Sequence, residues 1–219
     1  MADGTFGGES VKRIRIFVEG GGPNAKRGQD ALRKGFNGLL SAQKAAACQK
    51  KIEWNIACCG GRQAAYDAFI LAIGRKDPDD LVVLLVDSEG AVKDTAAQGR
   101  VGHLRQRDNW QFRGVDANAV HLMIQCMESW IVADPDEVEK FFGADFHRKH
   151  LPKRLDLDNE PKADVARSLE LATQGTHKKY HKIKTACLLL ERIRPDVVAK
   201  RCASFKQFTQ WLNNAIALA

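Results

Sequence analysis

Two carboxylates close an apolar run, and that pairing is the first chemistry the chain offers. Leu81 to Glu89 reads LVVLLVDSE, so Asp87 and Glu89 follow directly on the apolar residues with one serine between them. A third acid, Glu19, ends RIRIFVE and is followed by three glycines and Pro23. Converging carboxylates repel one another and hold on to their protons unless positive charge neutralises them. A divalent cation supplies that charge. Hard oxygen donors, with no histidine or thiolate among them, select Mg²⁺ or Mn²⁺ over zinc. Such an ion takes a few carboxylates together with water and substrate phosphate, so the expected substrate is a phosphate ester attacked by water.

Other residue types fit the same chemistry. Gly20 and Gly21 let the backbone approach a ligand closely. Arg62, closing the GlyGlyArg run at 60 to 62, is suited to cradling phosphate, and Glu128 follows the apolar HLMIQCM directly. The densest basic patch holds Lys178, Lys179, Tyr180, His181 and Lys182, which are candidates for binding phosphates or for supplying a general acid. Each has a plainer reading. Glu19 can serve the positive end of the following helix, and Asp87 and Glu89 can be turn residues. Arg62 can pair with an acid, Glu128 can open a solvated helix, and the basic run can be solvated surface. His147 and His150 are expected in solvent.

The elements that must position these groups follow from pattern. An unbroken, β-branched-rich run reads as a strand buried on both faces of a parallel sheet. Strands are expected at 13–19, 51–59 and 81–89, with helices at 29–47 and 63–73, Gly74 as a helix stop and a turn at 77–80. Right-handed crossovers then bring all three strand ends to one edge, where ligands bind in open α/β sheets. Residues 90–118 are polar with scattered glycines and read as a loop over that rim. His121 to Met127 is a fourth strand or the start of a buried helix. Helical pattern over 129–142 breaks at Asp134-Pro135, with Pro135 opening the second piece and Gly143 ending it. Pro161-Lys162 starts a helix reaching Ala172, an amphipathic segment covers 187–193, and a last helix spans 203–218. The expectation is an α/β fold: a mainly parallel sheet of about four strands with helices on both faces. The core covers 13–143, a basic helical extension covers 144–219, and a flexible N-terminus covers 1–12.

Composition narrows the class. An apolar fraction of 44% in 219 residues suits one globular α/β unit, and no stretch is apolar for the length of a bilayer. The start is polar and glycine-rich without a secretory pattern, which points to the cytoplasm. The six cysteines show no CxxC pairs, so most of them are expected as buried thiols. From Pro161 onward eleven Lys/Arg face four Asp/Glu, and the earlier part of the chain balances. Regional basicity beside an acid-bearing core suggests a polyanionic partner such as nucleic acid, with a solvated helical surface as the alternative.

The order of a Glu-Gly after the first strand and an Asp-x-acid pair after the third resembles the Toprim fold of topoisomerases, primases and OLD-type nucleases. More narrowly, the chain resembles the DUF4276 family of Toprim-like proteins. The stretches that carry the likeness are VEGGG (18–22), CGGRQAAYD (59–67), LLVDSE (84–89), HLMIQCMESWIVAD (121–134), PKADV (161–165) and KKYHKIKTACLLLERIRP (178–195). The resemblance implies Mg²⁺-dependent phosphodiester hydrolysis of DNA or RNA, with Glu19, Asp87 and Glu89 as metal ligands. Glu128 would complete or orient the site. It also implies a bacterial anti-phage setting beside a partner ATPase, and leaves a homo-oligomer open. The usual second acid of the pair is aspartate; glutamate at 89 lengthens the reach by a methylene. The alternatives are a non-catalytic module binding a phosphoanion or a partner, and hydrolysis of nucleotides or other small phosphate esters, for which the basic tail would be superfluous.

Overall fold

The computed structural model describes residues 11–22 and 26–219. Most of the N-terminus expected to be flexible, up to residue 10, and Pro23 lie outside them. The chain runs β1 (Arg13–Gly21), α1 (Lys26–Leu39), α2 (Ser41–Gln49), β2 (Glu53–Gly60), α3 (Arg62–Ile73), β3 (Asp80–Asp87), α4 (Ala97–Asp108) and β4 (Val120–Met123). There follow α5 (Met127–Val132), α6 (Pro135–Phe142), α7 (Lys162–Ala172), α8 (Lys184–Leu190), α9 (Pro195–Arg201) and α10 (Ala203–Leu218). Among the described residues no helix is long and apolar enough to cross a membrane.

The four strands form one sheet in the order β2-β1-β3-β4, and every pairing is parallel. The expected α/β fold is therefore present. Ile16 of β1 stands between Ile56 of β2 and Val83 of β3, and all three are buried. Alternate residues of each strand feed the two faces. Ile14, Ile16, Val18, Val83 and Leu85 join Leu32 and Phe36 of α1 in one core. Val82, Leu84 and Val86 join Phe69 of α3 and Leu104 of α4 in the other. Continuous apolar strands follow from this double cover, because neither face meets water.

The structure corrects several boundaries. The single helix expected over 29–47 is two, hinged at the buried Leu40, whose φ of −103° and ψ of 25° leave the helical line. The break lets α1 follow the sheet while α2 reaches α10. The strand expected to run to Glu89 stops at Asp87, and the chain turns through Ser88 and Glu89. The larger correction is at 90–118, which is not a loop throughout: it contains α4. Gly99 argued against a helix, yet it is there for packing. A Cβ on it would lie 2.3 Å from the Asp94 carboxyl carbon. Arg100, also on α4, is buried and donates from Nε to the carbonyl of Val120 at 2.6 Å.

The C-terminal helices complete one face of the sheet. α8 crosses α1 closely enough that a Cβ on Gly35 would stand 2.6 Å from the Cys187 carbonyl oxygen. From α10, Phe205 meets Trp130 of α5 edge-on at 4.9 Å, and Phe208 and Trp211 flank His121 of β4 at 5.0 and 4.6 Å. The α10 start is fixed by Asp158, which accepts from the Ser204 amide and hydroxyl at 2.7 and 2.8 Å. Phe208 is fully buried. Phe208→Ala is expected to cost about 3–5 kcal/mol, as for other buried aromatics. Urea titration followed by circular dichroism measures it; a loss under about 1 kcal/mol would mean that α10 is a surface appendage.

Candidate functional site

β1 connects through α1 and α2 to β2 on one side, and the return through α3 delivers β3 to the other side of β1. The sheet's winding therefore reverses between β1 and β3, which opens a crevice beyond their carboxyl ends. Val18 pairs with Leu85, so Glu19 and Asp87 emerge together at that crevice. Glu89 reaches it from the turn after β3. Its φ of 64° is left-handed, and its amide donates to the Gln125 carbonyl at 3.0 Å. One carboxylate oxygen from each of Glu19, Asp87 and Glu89 lies within 4.8 Å of the others. They share a pocket of about 340 Å³ with Gly20, Gly21, Arg62, Glu128 and Lys182. Leu32, Met123 and Met127 give the pocket an apolar wall.

The glycines that end β1 are a spatial requirement. Gly21, at φ 92°, passes so close to α1 that a Cβ would stand 2.8 Å from the Gln29 Cα. No side chain then separates this backbone from the pocket.

Arg62 opens α3 and acts as a clamp. Its Nε and Nη2 hold Asp108 at 2.9 and 2.7 Å, while Nη1 reaches Glu19 at 3.1 Å and the Asp87 carbonyl at 2.5 Å. The guanidinium also lies over Trp110, 4.9 Å from the ring centre. Of the two readings of Arg62, pairing with acids is what these contacts describe. Asp87 is 4% exposed; its Oδ1 accepts from the Met127 amide at 2.8 Å. Glu128 is buried, with Oε1 accepting from the Tyr180 hydroxyl at 3.2 Å. Its Oε2 has no hydrogen-bond partner among the described residues. The Lys182 ammonium stands 4.0 Å from Oε1 and is largely exposed.

Lys162, the first residue of α7, places its ammonium 2.5 Å from Glu89 and 3.5 Å from Asp87. Sequence reasoning passed over it, although it stands in the PKADV stretch and follows Pro161 at the helix start. Asp108 closes α4 and Trp110 follows just beyond, in a stretch whose polar, glycine-bearing sequence reads as loop.

Lys182 lines both the acid pocket and a neighbouring cavity of about 330 Å³; Tyr180 and His181 line the second, with Glu128 and Lys162. Lys178 sits 5.9 Å over the Phe141 ring, and Lys179 is exposed. His181 Nδ1 accepts from the amides of Ile183 and Lys184, both at 3.2 Å. That arrangement fixes the start of α8 and occupies Nδ1 as an acceptor. His147 and His150 are exposed, as expected.

Burial dominates the electrostatics. It pushes the Asp87 carboxyl well above its usual range, reinforced by the charges of Glu19 and Glu128 and only partly offset by Lys162. Burial also raises Glu19 despite Arg62. For Glu89 burial acts upward too, but the hydrogen bond and charge of Lys162 outweigh it and hold the group below its ordinary value. Burial, with the charges of Glu128 and Asp87, lifts the Cys126 thiol to about 12, which leaves it an inert neighbour.

These shifts predict a pH signature. A carboxyl whose folded pKa is raised binds its proton more tightly in the native state. Its contribution therefore favours the fold in acid and is lost as pH rises from the unfolded value through the folded one. Asp87→Asn keeps an acceptor for Met127 and removes that penalty. In chelator the variant should melt at the wild-type temperature in acid and increasingly above it toward neutral pH. A gap of about 2–4 °C corresponds to 1 kcal/mol at this size. A variant that melts below wild type at neutral pH would show that the Asp87 charge supports the fold.

The site can also be set against known proteins. No curated protein and no solved structure matches this chain. A family profile described as "Domain of unknown function (DUF4276)" matches residues 24–213. The match begins after Glu19 and includes Arg62, Asp87, Glu89, Glu128, Lys162 and Lys182. It spans nearly all of the fold described above, and the chain belongs to the DUF4276 family.

Proposed function

We propose that the chain is a Toprim-like phosphodiesterase that uses Mg²⁺ or Mn²⁺ to hydrolyse nucleic acid. The observation that carries the reading is the meeting of Glu19, Asp87 and Glu89 within 4.8 Å at the sheet's reversal point, where burial holds Glu19 and Asp87 above their ordinary range. An all-oxygen donor set of this kind fits a hard divalent cation, and excess negative charge favours its entry. When bound, the ion supplies Lewis-acid activation of water and charge stabilisation at phosphorus.

The chain's own groups have separable tasks. Glu19, Asp87 and Glu89 hold the ion. Arg62 orients Glu19 while Asp108 and Trp110 fix the guanidinium, so Arg62 positions a ligand and does not meet substrate directly. Gly20 and Gly21 let a phosphate come close to the backbone. Lys182 is the member of the basic run that borders the same pocket, which assigns it to the substrate phosphate. Glu128 braces the wall between the two cavities through Tyr180. Lys178, Lys179 and the C-terminal helices offer positive charge to the rest of a nucleic-acid backbone. A partner ATPase in anti-phage defence belongs to this reading through the Toprim likeness.

A non-catalytic reading has one observation in its favour: Arg62 and Lys162 already answer much of the acid charge without a metal. Plasmid DNA and RNA incubated with Mg²⁺, Mn²⁺ or chelator separate the two. Cleavage should need the metal and fall by more than about 100-fold in Glu19→Ala and Asp87→Ala, beyond the usual cost of changes outside the ligand shell. Cleavage that survives both substitutions removes the site from the chemistry.

A further inference from the structure

The ammonium of Lys162 stands 2.5 Å from Glu89 and 3.5 Å from Asp87. Lys162 lines the cavity beside Glu128, while Glu19, Asp87 and Glu89 line their own pocket. Ammonium and metal would draw on the same two carboxylates, so each weakens the other's hold on them.

The position of Lys162 is fixed from behind. Its amide donates to the Gln125 side-chain oxygen at 3.2 Å. Gln125 itself is left-handed at φ 63°, its carbonyl takes the Glu89 amide, and its amide goes to the Ser88 hydroxyl at 2.7 Å. The backbone of Lys162 and the backbone of Glu89 are thus braced on one residue. The side chain is not so confined. It is 28% exposed, borders the cavity beside Glu128, and has rotamer freedom to leave Glu89 without moving α7.

We propose that Lys162 is the resident counter-ion of the acid cluster and exchanges with the metal, passing from Glu89 to the phosphoanion that the metal brings in. This rests on the metal-dependent reading above and adds its regulation. Its consequence is thermodynamic. A metal entering alone must strand the ammonium from its partner, and a phosphodiester entering alone must draw it off Glu89, leaving the acids exposed to one another. Together each supplies what the other removes. Metal and phosphodiester are therefore positively coupled through Lys162, and the coupling is reciprocal. The resting protein holds metal weakly until a polyanion is present.

Titration calorimetry with Mn²⁺, with and without dimethyl phosphate as an inert phosphodiester, tests this on wild type, Lys162→Met and Lys162→Gln. Two variants are used so that a folding failure in one leaves the other to decide. Both should bind Mn²⁺ alone on the order of 10-fold tighter than wild type, within the range usual for such coupling. Dimethyl phosphate should strengthen Mn²⁺ binding in wild type and not in the variants. Without metal the variants should melt lower than wild type, and Mn²⁺ should raise their melting temperature more. Equal or weaker Mn²⁺ affinity in the variants overturns the exchange, as does an equal gain from dimethyl phosphate in all three proteins. No Mn²⁺ binding by any of them overturns the metal reading itself, and the exchange with it.

Discussion

The rim of this sheet requires positive charge, and much of the molecule is arranged to deliver it. Two carboxylates 4.8 Å apart repel by roughly 3–4 kcal/mol at an effective dielectric constant near 20. Three such pairs approach the whole stability of a typical domain, about 5–15 kcal/mol. Left alone, the cluster would protonate or splay apart. Arg62 on one flank and Lys162 on the other pair with its carboxylates. A pair of protein cations can be rearranged by a ligand in a way that an apolar plug cannot.

This requirement explains features that otherwise look incidental. α4 covers one face of the sheet, but its last residue, Asp108, also fixes the guanidinium that reaches Glu19. Trp110, just beyond, backs the same group and is itself stacked on Tyr66 at 4.5 Å. On the far flank, left-handed conformations at both Glu89 and Gln125 bring two loops and the start of α7 into one hydrogen-bonded unit. Non-glycine residues rarely adopt that conformation, and here it sits beside the carboxylates it positions.

The sheet and the convergence of Glu19 with Asp87 were legible in the chain because they depend on local pattern. Buried parallel strands announce themselves as unbroken apolar runs, and parallel strands must end on one edge. Glu89 was legible as a neighbour of Asp87, though not its left-handed turn. What escaped was of another kind. α4 carries two glycines, of which Gly99 serves a close approach to Asp94, so local propensity points away from the helix that tertiary packing enforces. Lys162 lies 73 residues from Glu89, and no periodicity marks a lysine that belongs to a distant carboxylate. His181 looked like a proton carrier by residue type alone; only its contacts reveal the helix start that it secures.

The cover of β4 by α10 has a consequence for how such a chain is made. A ribosome delivers β1 and β3, with all three acids, well before Lys162 leaves the exit tunnel, and α10 comes later still. Until α10 arrives, His121 of β4 lacks the Phe208 and Trp211 rings that flank it. Folding during synthesis therefore closes in a late step instead of growing strand by strand. A polypeptide stalled upstream of α7 would present an acidic rim held by Arg62 alone, without the Lys162 pairing, to chaperones and proteases.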